Sequence, residues 1–535
     1  MSESKSGKGD TFRGDDKQRD IRLTNLVAAR SVADAIRTSL GPKGMDKMIT
    51  DSGGDVIITN DGATILSRME VQHPAAKMLV ELSKSQDIEA GDGTTSVCVI
   101  AGALLEKAEE LLEKGIHPVA LSDAWKIAAA ESCRILRAMS YPIELSNRDQ
   151  LIKGAITSLS SKVVSQYSHI LAPLAVDSVL HVLEDEKQED NINVDLRQIR
   201  VITRLGDTIE DTELVNGLVF NQEASKGAGG PTRIENPRIA LIQFQISPPK
   251  TDMENQLVVG NQQEIDRIAR DEKKYILNII KKILKCKCNV ILIQKSILRD
   301  AINILGAHYL AKKNIMVIKD IERDEMQFIA NSLGCKPVAS ADHLTEDKLG
   351  CAQLAEEVYT PGGRIVKITG VANPGKTVSI LIRGSNNLVL EEAERSLHDA
   401  LCVVRSLVKE RNVIAGGAAA ETEISVKLAR YAEKLGGLQS YCVRSFADAL
   451  EIIPYTLAEN AGLNPIKIVT KLRKAHSDDT NNQQKDFGID IKKGDISDMY
   501  KRDVIQPLLV NLSAINLATE FVRMILKVDD IISTR

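Results

Sequence analysis

The sequence has few aromatic residues, which make up 3% of its 535 residues, whereas hydrophobic residues of all kinds make up 43%. Its cores must therefore be built from alanine, valine, isoleucine and leucine, which favours packed helices and α/β layers over a β-sandwich. A chain of this length is expected to form about three domains.

Other absences exclude several functional classes. The eight cysteines include no CxxC pair and no Cys/His cluster with zinc spacing, so we expect buried, reduced thiols. A net charge of −4 gives no basic bias toward nucleic acid. The longest apolar stretch, residues 96–105, is far shorter than the ~18 residues of a membrane span. Residues 1–20 hold ten charges and no apolar signal core, which predicts a disordered tail and a cytoplasmic protein.

The first and last thirds of the chain are predicted to be mainly helical. Apolar periodicity and stop signals predict helices over residues 24–40, 74–86, 94–114, 118–139, 390–409, 421–434 and 503–526, the last interrupted near Pro507. Between the first two helices, residues 56–59 and 63–66 flank an Asn60-Asp61-Gly62 turn, which predicts a hairpin.

The middle of the chain has a different pattern. Residues 238–244, 289–294 and 315–320 are short Ile/Val-rich segments, with a predicted helix over 297–312 between the last two. This alternation is typical of βαβ units around a parallel sheet. Residues 247–287 interrupt it with a charged insertion that contains an amphipathic helix over 262–284. An α/β domain therefore separates two helical halves.

One glycine-rich segment, Gly91-Asp92-Gly93-Thr94-Thr95, directly precedes the helix predicted from residue 94. Glycines let a ligand approach the backbone, and the helix start offers free N–H groups and the positive dipole end to phosphate. Asp92 fits such a site if it holds Mg²⁺. A glycine turn whose threonine caps a helix explains the same residues equally well.

Two other glycine loops lie beside helix ends. Gly41-Pro42 follows the first predicted helix, and Gly416-Gly417 precedes the helix predicted from residue 421. Taken alone, each is better explained as an ordinary helix stop or interhelical turn.

Two aspartates are candidates for positioning a water molecule. Asp61 lies in the predicted turn, where aspartate beside glycine is common for structural reasons. Asp399 lies inside a predicted helix, where aspartate is unfavourable, although Arg395 four residues earlier could pair with it.

Residues 370–377 read GVANPGKT and match the P-loop pattern at every position. A P-loop requires a helix after it, whereas residues 378–383 are as strand-like as residues 364–369 before it. We interpret the segment as a hairpin, and do not expect Lys376 to bind phosphate.

Taken in order, these motifs resemble the group II chaperonins from about residue 20 to the end of the chain. The motifs that carry the resemblance are the LGPKGM, NDGATI and GDGTT segments at residues 40–45, 60–65 and 91–95, with SSK at 160–162, SLHDA at 396–400 and AGG at 415–417. The combination is highly specific, although each motif alone is modest evidence.

The resemblance implies a multi-domain α and α/β fold. A helical equatorial ATPase domain would comprise residues 21–150 and 405–535, and a small α/β intermediate domain residues 151–220 and 374–404. An inserted α/β apical domain would span residues 221–373, with the helical protrusion of a built-in lid within 247–287.

The resemblance also implies an ATPase site with ATP and Mg²⁺ as ligands. Asp61 and Asp399 would position and activate water, Asp92 would hold Mg²⁺, and Lys162 would sense the γ-phosphate. The other residues implied to contact nucleotide are Leu40, Gly41, Pro42, Gly93, Thr94, Thr95, Ser96, Ser160, Ser161, Gly416, Gly417, Gly488 and Gln506.

The implied partners are other chaperonin subunits in two stacked eight-membered rings, and unfolded polypeptides, including actin and tubulin. ATP would drive closure of the lid, with no nucleic acid or membrane involved. Two alternatives stay open: an ATPase or kinase acting on a small molecule, for which no substrate motif is found, and a ring subunit that binds ATP with little hydrolysis.

Two positions depart from the family pattern. Ala418 stands where the family has a third glycine, so its Cβ is expected to alter the loop. Gln506 stands where the family often has an acidic residue near the ribose, and it can form hydrogen bonds without carrying a charge. Either change predicts nucleotide handling unlike that of neighbouring subunits.

Overall fold

The computed structural model of the chain describes residues 9–50, 53–54, 56–183, 193–225, 229–249, 258–297, 299–371, 377–477 and 484–531, with only the backbone for 9–20. The chain forms two compact units, one comprising residues 1–176 and 395–535 and the other residues 177–394. The first unit is mainly helical and the second is built on sheets.

The elements of the first half of the helical unit are α1 Gly9–Arg37, β1 Lys47–Thr50, β2 Val56–Thr59, α2 Gly62–Arg68, α3 Pro74–Glu89, α4 Thr94–Glu113, α5 Pro118–Met139, β3 Tyr141–Pro142 and α6 Arg148–Leu159. Helix α7, Ser168–Leu183, runs past the boundary into the second unit.

The elements of the second unit are β4 Ile199–Leu205, β5 Glu213–Val215, β6 Gly217–Phe220, β7 Arg233–Glu235, β8 Arg238–Ile242, α8 Gln262–Lys285, β9 Val290–Gln294, α9 Ile304–Ala311, β10 Met316–Ile321, α10 Glu325–Leu333, β11 Gly350–Cys351, β12 Leu354–Thr360, β13 Gly363–Thr369 and β14 Val378–Gly384. Helix α11, Asn387–Lys409, returns the chain to the helical unit.

The remaining elements are β15 Asn412–Ala415, α12 Ala419–Leu435, α13 Gly437–Leu450, α14 Ile452–Asn460, α15 Pro465–Ser477, β16 Phe487–Asp490, β17 Asp495–Asp498, β18 Ile505–Pro507 and α16 Leu508–Lys527. Chain segments from both ends share one core. Trp125 of α5 packs edge-on against Phe446 of α13 with ring centroids 6.1 Å apart, and its indole N–H donates to the Cys442 carbonyl at 3.0 Å.

The parallel sheet predicted in the middle of the chain is confirmed. Strands β8, β9 and β10 pair in parallel in the order β10-β9-β8, and β11 adds an antiparallel edge. The insertion also contains the predicted amphipathic helix, as α8. Ile276, Ile279, Ile280 and Ile283 in its C-terminal half are buried, whereas residues 262–275 are almost all exposed. Residues 250–257 lie outside the described part of the insertion.

The predicted hairpin around Asp61 is wrong. Strand β2 pairs backward with β1, and residues 63–66 belong to helix α2. The reason is that Asp61 acts as an N-cap, since its carboxylate accepts from the N–H groups of Ala63 and Thr64 at 3.4 and 2.9 Å and so starts a helix.

The interpretation of residues 370–377 as a hairpin is also wrong in its pairing. Strand β13 pairs with β12 and β6, whereas β14 pairs with β4 and β5 of a different sheet. The strand–strand context is nevertheless correct, since no helix follows Thr377 until α11. Residues 372–376, including Lys376, lie outside the described part of the chain.

Some helix boundaries differ from those predicted from the sequence. Helix α1 begins at Gly9 instead of Thr24, so residues 9–20 of the predicted disordered tail have helical backbone. Residues 505–507 form β18, paired with β15, so the last long helix starts at Leu508 after Pro507. Among the described helices, only α16 is long and apolar enough to cross a membrane, and 67% of the window that qualifies is buried, as in a core helix.

Candidate functional site

The Gly91–Thr95 segment forms a tight loop at the start of α4. Gly91 and Gly93 have φ angles of 70° and 77°, in the left-handed region that favours glycine. A Cβ on Gly91 would lie 2.1 Å from the Cβ of Cys402, so no larger residue fits there. The backbone N–H groups at the N-terminus of α4 are thereby left open toward the loop.

A buried amide fixes this loop. Gln86 of α3 donates through Nε2 to the carbonyl of Asp92 at 2.9 Å and to the carbonyl of Val510 at 3.3 Å. The loop is therefore tied to both α3 and α16.

Asp61 is joined to the same loop. Besides capping α2, its Oδ1 accepts from the hydroxyl of Thr94 at 2.8 Å, and its Oδ2 accepts from the hydroxyl of Thr64 at 2.7 Å. Gly62 allows this approach, since a Cβ there would lie 2.9 Å from the backbone nitrogen and the hydroxyl of Thr95. Two residues predicted from separate motifs, Asp61 and Thr94, are thus in direct contact.

Lys162 and Asp399 form a second buried pair. Lys162 Nζ lies 2.5 Å from Asp399 Oδ2, and the two side chains are only 9% and 10% exposed. Asp399 is held by α11 and Lys162 by the turn after α6, whose Ser161 carbonyl accepts from Asn60 Nδ2 at 3.1 Å. The α6 turn is therefore anchored to the residue that precedes Asp61.

The surroundings of the two catalytic candidates, Asp61 and Asp399, shift their pKa values in opposite directions. Burial raises the pKa of Asp399 well above its usual value; Lys162 lowers this pKa in part, and the charges of Asp61 and Asp92 add to the rise. Burial also acts on Asp61, but Lys162 and the donors of Thr64 and Thr94 lower its pKa overall. Burial opposes the charge of Lys162, yet Asp399, Asp61 and Asp92 together raise its pKa. Two carboxylates with pKa values shifted in opposite directions are the arrangement expected of an acid–base pair.

A cavity of about 680 Å³ opens beside the Gly91–Thr95 loop, within the size range of small-molecule sites. Its lining includes the predicted residues Leu40, Gly41, Pro42, Asp92, Gly93, Ser96, Ser160, Ser161, Gly417 and Gln506. Apolar side chains such as Ile100 and Ile489 form other parts of the wall. The structure therefore brings segments from both ends of the chain to one pocket.

The other predicted residues support the cavity from outside its lining. Thr94 with Asp61, and Lys162 with Asp399, form the two polar contacts described above, and Thr95 lies beside Gly62. Gly416 and Gly488 are backbone supports: Gly416 N donates to the Val504 carbonyl at 3.0 Å, and a Cβ on Gly488 would lie 2.8 Å from the Gly417 carbonyl oxygen.

The glycine loop before α12 contains a strained residue. Ala418, the N-cap of α12, has φ 63° and ψ 19°, a left-handed conformation that is unfavourable for a residue with a Cβ. The position that departs from the family pattern thus keeps a glycine-like backbone, and lines the cavity.

Several polar residues of the cavity wall were not predicted from the sequence, among them Glu421 and Asn511. They are 8% and 7% exposed, and Asn511 Nδ2 donates to Glu421 Oε1 at 3.0 Å. Burial raises the pKa of Glu421. A polar asparagine within the apolar pattern of α16 was the available signal.

The residues at the loop are compatible with Mg²⁺. No group of three or more His, Cys, Asp or Glu side chains suited to a metal occurs among the described residues. Mg²⁺ commonly binds one or two carboxylates together with substrate phosphates and water, which needs no such group. Asp92 lines the cavity, and its Oδ1 accepts from Gly93 N at 2.7 Å, leaving Oδ2 for a metal.

The segment at 370–377 uses its threonine differently. Thr377 is 1% exposed, and its hydroxyl contacts the hydroxyl of Ser332 on α10 within the second unit. This threonine has a packing role in the sheet unit.

Comparison with known proteins gives consistent results. Residues 32–535 match the TCP-1/cpn60 chaperonin family. The chain is 58% identical over 534 residues to T-complex protein 1 subunit delta of Arabidopsis thaliana, covering 100% of this chain and 98% of that protein. It is 57% identical over 530 residues to the protein of the same name from Homo sapiens, covering 99% and 96%, and 57% identical over 524 residues to that of Schizosaccharomyces pombe, covering 98% of each.

Proposed function

The chain belongs to the TCP-1/cpn60 chaperonin family, and on that basis we propose that it is a chaperone subunit that binds and hydrolyses ATP. The observation that carries the proposal is the convergence of Asp61, Asp92 and Asp399 around Lys162, next to a helix N-terminus and an adjoining cavity.

Phosphate binding follows from the backbone at the start of α4. The left-handed Gly91 and Gly93 let phosphate oxygens approach the N–H groups of the first helical turn, where the helix dipole favours negative charge. Gly41, Pro42, Ser160 and Ser161 close the cavity from other segments. Asp92 would hold Mg²⁺, which when bound would neutralise charge on the phosphates.

The opposite pKa shifts of Asp61 and Asp399 suit them to different roles in activating water. Asp61 stays ionised and is fixed by Thr64 and Thr94, so it orients the attacking water as an acceptor. Asp399, with its raised pKa, accepts a proton from that water. Lys162 stays protonated and faces the γ-phosphate, which competes with Asp399 for its ammonium group. Nucleotide binding would therefore free Asp399 to act as the base.

The same family relationship supports a wider proposal. The subunit assembles with other chaperonin subunits into two stacked eight-membered rings in the cytosol, and acts on unfolded polypeptides that include actin and tubulin. We assign residues 21–150 and 405–535 to the equatorial domain, 151–220 and 374–404 to the intermediate domain, and 221–373 to the apical domain. The exposed first half of α8 supports a lid role for the insertion, closed by ATP.

The alternative is a ring subunit that binds ATP with little turnover. The observation in its favour is the buried ion pair between Lys162 and Asp399, because it engages the carboxylate of the proposed base. The two functions differ in the product found at this subunit.

The test is native mass measurement of the purified assembly, followed by imaging of its nucleotides after one round with Mg²⁺ and ATP. We expect a megadalton particle that contains ADP at this subunit. A megadalton particle with intact ATP here would establish the low-turnover alternative. A monomer that phosphorylates a small molecule would contradict the chaperone proposal.

A further inference from the structure

One face of helix α6 forms a wall of the cavity. Lys153, Ile156, Thr157 and Ser160 all line it. Their spacing of three and four residues places them on one side of the helix. The turn that follows α6 carries Lys162, which is proposed to face the γ-phosphate. This wall and Lys162 therefore belong to one continuous segment.

The turn before β18 forms a second wall, with Arg502, Asp503 and Val504 in the lining. Backbone hydrogen bonds fix this turn. The N–H of Asp503 donates to the Tyr500 carbonyl at 3.2 Å, and the Val504 carbonyl accepts from Gly416 N at 3.0 Å. Asp503 has a φ angle of 60°, a left-handed conformation that aspartate adopts more readily than most residues with a Cβ. The position of Asp503 is thus set by its own segment.

An ion pair joins the two walls. Lys153 Nζ lies 2.7 Å from Asp503 Oδ1, and the two side chains are 41% and 57% exposed. The Lys162–Asp399 pair is almost completely buried by comparison. The Lys153–Asp503 pair therefore lies at the mouth of the cavity, where it meets solvent.

A pairing within α6 does not account for this contact. Asp149, four residues before Lys153, could hold it in an ordinary helix-surface pair. The hydrogen bond to Asp503 nevertheless raises the pKa of Lys153 most, and the charge of Asp149 adds less. Lys153 thus connects its helix to a segment that is distant in the sequence.

We infer that the Lys153–Asp503 pair is a strap across the mouth of the cavity, and that it slows the entry and release of nucleotide. This inference rests on the proposed ATP binding. Nucleotide passes only while the pair is open. Because the strap does not itself hold the ligand, it changes the rates of entry and release by the same factor and leaves Kd unchanged. A direct contact with the ligand would instead change Kd.

The experiment measures association and displacement of a fluorescent ADP analogue on assembled rings that differ only in this subunit. Lys153→Met removes the charge and keeps a long side chain. Asp503→Asn removes the charge and keeps a residue that tolerates the left-handed backbone. Since exposed ion pairs are weak, each change should raise both rates by about two- to fivefold, with Kd unchanged.

A double-mutant cycle tests whether the two residues act together. The variant with both Lys153→Met and Asp503→Asn should match each single variant, because losing either partner already opens the strap. Two independent effects would multiply. Salt gives a second readout: at about 1 M salt, where charges are screened within about 3 Å, the wild-type rates should approach those of the variants.

Lys471 and Asp495 provide a matched control pair. Lys471 Nζ lies 2.8 Å from Asp495 Oδ2, the side chains are 42% and 50% exposed, and both residues lie outside the lining of the cavity. Lys471→Met removes an ion pair of the same kind and should leave both rates at their wild-type values.

The inference is overturned if neither single variant changes the release rate, if the double variant shows the product of the two single effects, or if Kd changes together with the release rate. In those cases the proposed ATP binding stands. A wild-type subunit that binds no nucleotide would reject the proposed function itself.

Discussion

Two segments of this chain contain glycine and threonine in an arrangement suited to phosphate, and only one has the surroundings that phosphate requires. Residues 91–95 lead into the twenty-residue helix α4, with Thr94 bonded to Asp61. Residues 370–377 match the P-loop pattern more closely, yet they connect strands of two different sheets, with Thr377 bonded to Ser332. The element after a glycine loop supplies the converging N–H groups, so it matters more for phosphate binding than the sequence pattern of the loop itself.

The largest effect is expected from removing the proposed base. Asp399→Ala in the assembled ring should keep ATP binding and lower turnover at this subunit by ~10²–10⁴-fold, the usual contribution of a general base. Single-turnover ATP hydrolysis, with this subunit's nucleotide identified by imaging, measures the change. Lys376→Ala is the control in the second segment and should leave both binding and turnover near wild type. Normal turnover in Asp399→Ala, with binding lost in Lys376→Ala, would reverse the assignment.

The two threonines allow the same substitution in both segments. Thr94→Val removes a donor to the buried Asp61 carboxylate, at a cost of about 1.5–3 kcal/mol for a charged hydrogen bond. If that cost falls on catalysis, turnover should decrease on the order of 10–100-fold. Thr377→Val should lower stability through the lost Ser332 contact and leave turnover per folded subunit unchanged. Equal losses of turnover in both variants would remove the distinction.

The pH dependence of turnover tests the electrostatic coupling between Lys162 and Asp399. Asp399 must be deprotonated to act as a base, so turnover should fall as pH decreases through its raised pKa, above the range of an ordinary aspartate. Lys162 lowers the pKa of Asp399, so Lys162→Met should move the acidic limb to higher pH while reducing the maximum rate. Rate–pH profiles of both proteins measure the shift. A limb unchanged in Lys162→Met would contradict the coupling.

The smallest effect concerns the third glycine loop. Ala418 has a left-handed backbone, so Ala418→Gly should relieve strain and raise the free energy of unfolding by about 1 kcal/mol. Ala419→Gly, at the first helical residue beside it, should lower it by about the same amount, because glycine is unfavourable in a helix. Denaturant melts of the two variants provide the comparison. A loss of stability in both would show that the Cβ of Ala418 contributes more by packing than it costs in strain.

Local patterns in the sequence predicted most of the helices. Helix α5 starts and ends where its proline and Tyr-Pro signals place it, and the parallel order of β8, β9 and β10 follows from the alternation of strand and helix. These features depend on residues that are close in sequence. Asp61 was misplaced in a hairpin because the turn and N-cap uses of aspartate have the same local pattern, and pairing of β2 with β1 decides between them.

The site itself could be predicted only in part. Resemblance to a family identified residues such as Asp61 and Asp399, but the Thr94–Asp61 and Lys162–Asp399 contacts join residues more than thirty positions apart and require the fold. Glu421 and Asn511 are 90 positions apart, and neither had a local motif. The strands on either side of residues 370–377 pair with strands distant in the sequence, and hydrophobic periodicity does not indicate which strands pair.

The most direct test is a high-resolution image of the assembled particle with Mg²⁺ and a non-hydrolysable ATP analogue. We expect the phosphates at the N-terminus of α4, against Gly93 and Thr94, with a metal at Asp92 and the γ-phosphate facing Lys162. Phosphates held by residues 370–377, with the cavity beside α4 empty, would contradict this expectation.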